Sequence, residues 1–140
     1  MASVEEHVRI SAPADDVWSI VRDFGSIADW TPPITDATVD GAGVGAERTL
    51  TLADGGQVVE RLEALDDEAR TLRYSIVDGP LPVQDYEGTF SVTDVDDSTC
   101  EVTWASTFTV DGPPEDEITG TFSELYAAGL SGLRDHVTAA

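Results

Sequence analysis

Three polar side chains fall in segments that alternate like half-buried strands: Arg48 in Glu47–Leu52, Glu60 in Gln57–Leu65 and Tyr86 in Gln84–Val95. On its segment Glu60 shares a face with Val58, Leu62 and Ala64, whereas Val59, Arg61, Glu63 and Leu65 take the other, more charged face. A carboxyl held among apolar neighbours has a raised pKa and works as an acid or base near neutral pH. The alternative is a solvated or structurally paired Glu. Tyr86 shares its face with Gly88, Phe90 and Val92. There its phenol would hydrogen-bond a ligand carbonyl or act as a weak acid, or be a core aromatic with a satisfied hydroxyl. Arg48 stands with Leu50 and Leu52 and would hold a ligand carboxylate bidentately, or form a structural pair with an acid such as Glu60.

Other chemistries are excluded by what the chain lacks. All seven basic residues are Arg, so neither a Schiff base nor a P-loop lysine is available. The lone Cys100 rules out an intramolecular disulfide and a multi-cysteine zinc site. His7 and His136 lie at opposite ends of the chain and lack metal-site spacing, which leaves only the fold to bring them together. No metal and no cofactor is expected, and no nucleophile–base pair is evident. The 28 acidic residues leave a net charge of −21, a field that repels phosphate backbones and anionic lipid heads. Nucleic-acid and membrane partners are therefore not expected. The chain starts without a basic region followed by an apolar run, and no apolar stretch approaches the ~20 residues of a spanning helix. A cytoplasmic location is expected. The acidic surplus and missing Lys point to a high-salt, halophilic cytoplasm, where screening makes such a surface tolerable.

These residues need a scaffold. At 140 residues and 41% hydrophobic content the chain is expected to form a single domain, residues 1–140, with one core. A strand is expected at the start, with Val8 and Ile10 on one face. Ser11-Ala12-Pro13 with early acids then opens a helix carrying Val17, Trp18, Ile20, Val21 and Phe24, which Gly25 ends. A short turn runs from Ser26 to Trp30. From about Thr35 to Val110 strands alternate with turn signals, among them Gly55-Gly56 and Asp96-Asp97-Ser98. After Pro113-Pro114 the period lengthens, and Ile118, Phe122, Leu125, Tyr126, Gly129, Leu130, Leu133 and Val137 make one helical face. A twisted antiparallel sheet covered by a single helix touches it along one line and leaves a gap. The expected architecture is α+β: a curved sheet of about seven strands around a long C-terminal helix, with two short helices after the first strand.

That order of elements resembles the START / birch-pollen-allergen superfamily, SRPBCC, with its helix-grip fold. The resemblance covers essentially the whole chain. It is carried by Ala12-Pro13-Ala14-Asp15-Asp16-Val17-Trp18, Asp23-Phe24-Gly25 through Asp29-Trp30, Val44-Gly45-Ala46-Glu47-Arg48, Val59-Glu60-Arg61-Leu62-Glu63, and Gly79-Pro80-Leu81-Pro82-Val83-Gln84-Asp85-Tyr86. The nearest branch looks like the polyketide cyclase/dehydrase-type proteins similar to plant abscisic-acid receptors. Membership implies a deep apolar cavity for a small lipid-like or aromatic molecule. In the receptors two loops close over the ligand, and here Leu52–Gln57 and Asp78–Pro82 match them. This chain departs from the receptors in both loops and has no lysine, which argues against a hormone-receptor role and a lysine-anchored carboxylate.

The expected function is binding of a small apolar or aromatic molecule; a cyclase or dehydratase using Glu60 and Tyr86 is the alternative, and a chaperone-like partner protein with a filled interior a third. The expected ligand contacts are Trp30, Arg48, Leu50, Leu52, Glu60, Leu62, Pro80, Leu81, Tyr86, Phe90, Trp104, Phe108, Phe122 and Tyr126. Trp30, Trp104 and Phe108 equally suit core packing. A monomer or weak homodimer is expected.

Overall fold

The computed structural model describes residues 1–138. Its elements run β1 (Ala2–Ile10), α1 (Ala14–Val21), α2 (Ile27–Trp30), β2 (Ile34–Asp40), β3 (Glu47–Leu52), β4 (Gln57–Asp66), β5 (Thr71–Asp78), β6 (Val83–Asp96), β7 (Thr99–Val110) and α3 (Glu115–Thr138). Seven strands form one antiparallel sheet in the order β1-β7-β6-β5-β4-β3-β2. The expected α+β helix-grip architecture is what the chain adopts.

Two-residue periodicity sets the faces. On β7, Cys100, Val102, Trp104, Ser106 and Phe108 are all buried, and on β6 Tyr86, Phe90 and Val92 are. Helix α3 begins behind Pro113-Pro114, with Glu115, Asp116 and Glu117 in its first turn, where carboxylates meet the positive end of the helix dipole. It lies over the β1–β7 side of the sheet and touches α2. Two glycines let it come so close. A Cβ at Gly132 would sit 1.9 Å from the Trp30 carbonyl oxygen, and one at Gly129 2.7 Å from the Trp104 ring.

Helix α1 ends at Val21, earlier than Gly25. The cause is local: the Ser26 hydroxyl donates to the Ile20 carbonyl at 2.7 Å and satisfies one of the acceptors left open at a helix C-terminus. Phe24 thereby falls in a turn with its carbonyl free for another donor. Two register shifts also matter to the site. One lies in β4 between Val59 and Glu60. The other lies in β6 between Gln84 and Glu87, where Asp85 adopts φ 54°; such a bulge re-aims the neighbouring side chain, here Tyr86.

Candidate functional site

Because α3 covers one side of the curved sheet, the inner face of β3–β6 is left partly open beneath it. The gap is a cavity of about 570 Å³, within the usual range for small-molecule sites. Leu50 and Leu52 of β3, Val58 and Glu60 of β4, Tyr74 and Ile76 of β5, Tyr86 of β6 and Trp104 of β7 form its floor. Ile118, Phe122, Leu125 and Tyr126 of α3 form its roof. Ala53 and Asp54 of the β3–β4 turn, and Leu81 and Pro82 of the β5–β6 loop, form its rim. The two loops adjoin: a Cβ at Gly56 would lie 3.9 Å from Pro80, and Gly79, at φ 151°, packs on Val58.

Of the expected contacts, Leu50, Leu52, Glu60, Leu81, Tyr86, Trp104, Phe122 and Tyr126 line this cavity. The others stand behind the wall. Leu62 lies beyond Glu60 in the core. Phe90 stacks on Trp104 at 4.5 Å, and Trp30 meets both rings edge-on, at 5.8 Å to Phe90 and 6.2 Å to Trp104. Phe108 is covered by Tyr86 and Phe122. In the second loop Pro82, not Pro80, reaches the rim. Arg48 does not line the cavity; its guanidinium is held in the core by Glu60, by the carbonyl and ring of Phe24 and by the Tyr74 ring.

Those partners define the first polar feature. Arg48 and Glu60 are directly opposite across β3 and β4 and are 3% and 6% exposed. Arg48 Nε donates to Glu60 Oε1 at 2.8 Å and Nη1 to the Phe24 carbonyl at 3.0 Å. Nη2 lies 2.7 Å from the same Oε1 but off the hydrogen-bonding direction. The guanidinium also covers the Phe24 ring at 3.9 Å, a cation–π contact. Glu60 is thus both paired and part of the cavity wall. Burial pushes its carboxyl above the usual carboxylate range, and the charge and hydrogen bond of Arg48 pull it back.

The second feature is a row of hydroxyls that includes a residue sequence reasoning missed. Trp104 Nε1 donates to Tyr74 OH at 2.9 Å, Tyr74 OH is 3.0 Å from Tyr86 OH, Tyr86 OH bonds Tyr126 OH, and Tyr126 OH donates to Ser106 Oγ at 2.8 Å. Burial drives the Tyr74, Tyr86 and Tyr126 phenols well above their ordinary pKa, so all three stay protonated at neutral pH. Tyr74 fits because Gly88 is its cross-strand partner; a Cβ there would come within 2.3 Å of the Tyr74 ring. The alternation of Leu72, Tyr74 and Ile76 was the available signal. Cys100 is fully buried and its thiol is pushed up by burial. His7 and His136 are exposed. Among the described residues no cluster of His, Cys, Asp and Glu is arranged for a metal, and no helix is long and apolar enough to cross a membrane.

Several proteins resemble this chain in sequence or fold. The chain is 34% identical over 87 residues to the abscisic acid receptor PYL7 of Arabidopsis thaliana, a stretch that is 59% of this chain and 41% of the receptor's length. The solved structure of the protein XoxI from Bacillus cereus is 31% identical, covers 98% of this chain and 96% of its own, and superposes with a TM-score of 0.91. The ZhuI aromatase/cyclase from Streptomyces sp. R1128, at 20% identity, covers 97% of this chain and 93% of its own with a TM-score of 0.82, a likeness of fold. Residues 1–138 match the family described as polyketide cyclase / dehydrase and lipid transport. With its helix-grip fold and matching length, the chain belongs to that family within the SRPBCC superfamily.

Proposed function

We propose that the cavity binds a small, largely apolar or aromatic molecule without turning it over. The observation that carries this is the unfilled volume of about 570 Å³ walled mainly by Leu, Ile, Val and aromatic side chains. Apolar burial supplies the affinity in such a site, and a few polar groups fix orientation. Glu60, Tyr86 and Tyr126 are those groups. Space at this position also argues against the partner-protein reading with a filled interior.

Catalysis by a cyclase or dehydratase is the second reading, supported by Glu60 and Tyr86 sharing one mostly apolar wall. It ranks lower because both groups are engaged: Arg48 holds the carboxylate, and neighbouring hydroxyls hold the phenol.

Titration with the neutral dye N-phenylnaphthylamine tests the proposal. A saturable one-site fluorescence rise is expected, lost in Ala128→Phe, which places a ring in the lining of the cavity. No saturable signal in the wild type would reject binding. Turnover of a polyketide-like substrate that Glu60→Gln abolishes while dye binding survives would favour the enzyme.

A further inference from the structure

The polar end of the cavity has a direction, set by the order of its hydrogen bonds. Indole nitrogen can only donate, so Tyr74 OH accepts from Trp104. At the far end Tyr126 gives its proton to Ser106. A phenol has one proton, so the Tyr86–Tyr126 bond must be donated by Tyr86, and the Tyr74–Tyr86 bond by Tyr74. Every phenol proton is then spent inside the wall, and only oxygen lone pairs remain for a ligand. Glu60 adds to the same pole. Oε1 takes both close contacts from Arg48, and Oε2 has no hydrogen-bond partner among the described residues. The cation is not available to a ligand, because Arg48 stands outside the lining while Asp54, Glu60 and Glu124 belong to it.

We infer that this pole accepts and does not donate, so the cavity selects an apolar or aromatic molecule bearing an uncharged or cationic O–H or N–H donor and disfavours carboxylates and acceptor-only ligands. The inference rests on the proposal that the cavity binds small molecules, and it adds their polar chemistry. Ser106 is the positioning residue: it does not line the cavity, yet by taking the Tyr126 proton it turns the row of hydroxyls away from the ligand. The raised phenol pKa values keep those protons in place at neutral pH.

The test is displacement of N-phenylnaphthylamine by three molecules with one ring system: β-naphthol, its methyl ether and β-naphthoate, at neutral pH in molar KCl so that the overall negative field is screened. β-Naphthol is expected to bind about tenfold more tightly than either of the others, a factor in keeping with a donor meeting a buried carboxylate. Ether or naphthoate binding as tightly as naphthol overturns the inference while leaving cavity binding intact. Failure of the probe itself to bind removes both. In Ser106→Ala the Tyr126 proton is released toward the cavity, and the gap should narrow to about threefold or less; a gap that stays at its wild-type size overturns the role given to Ser106 and the hydroxyl row. Loss of a purely structural contact would weaken all three ligands alike.

Discussion

Removing one member of the Arg48–Glu60 pair should be costly in a manner that depends on which member goes. Both side chains are almost wholly buried and only 2.7–2.8 Å apart. Deleting one partner of such a pair leaves a buried charge uncompensated and costs about 3–5 kcal/mol, whereas replacing both by apolar groups is often near neutral. Unfolding entropy of roughly 2.1 cal/mol/K per residue gives about 0.3 kcal/mol/K for this chain of 140 residues. A loss of about 4 kcal/mol therefore lowers Tm by roughly 14 °C. In Arg48→Met the orphan is Glu60, which can escape by taking a proton. Without Arg48 its folded pKa, already raised by burial, rises further above the ordinary 4.5. The folded state then binds more protons than the unfolded one between those two values, so stability falls as pH rises through that window and is regained on acidification toward 4.5. In Glu60→Leu the orphan is Arg48, which cannot deprotonate, so its penalty should not relax in acid. Urea unfolding of wild type, both single variants and the double variant, from neutral pH down to mildly acidic pH, measures this. The reasoning fails if either single variant loses less than about 1 kcal/mol at neutral pH, or if the Arg48→Met penalty is as large in acid as at neutrality.

Gly132→Ala should lower Tm although Ala is the better helix former, because its Cβ would meet the Trp30 carbonyl at 1.9 Å. Gly120→Ala, exposed on the same helix with open space around it, should instead gain about 0.5–1 kcal/mol, and thermal melts of the two variants show whether the signs are opposite. Gly88→Ala should push the Tyr74 ring out of place, seen as a weakened near-ultraviolet circular dichroism signal and a lowered Tm. We propose adaptation to high salt from the net charge of −21: molar KCl shortens the Debye length to about 3 Å and should raise the unfolding midpoint, and equal midpoints in dilute and molar KCl would reject that proposal.

The order of elements and the faces of the strands were legible along the chain, because both follow from short-range periodicity. Alternation along Gln57–Leu65 is enough to turn Glu60 inward with Val58 and Leu62, and the spacing of Phe122, Tyr126, Gly129, Leu130 and Leu133 is enough to define the buried stripe of α3. Pairing was less legible. Arg48 and Glu60 are twelve positions apart and alternate toward the same side, but alternation cannot say whether the guanidinium meets a ligand or the neighbouring strand. Strand register and the freed carbonyl of Phe24 decided it. Likewise Tyr74 became part of the site through a glycine on another strand, Gly88, and Trp30, Phe90 and Phe108 left it through contacts with rings distant in the chain. A direction of hydrogen bonding, a void and a neutralised charge are properties of several chain segments at once, so they exist only when the sheet has curved and α3 has settled over one side of it.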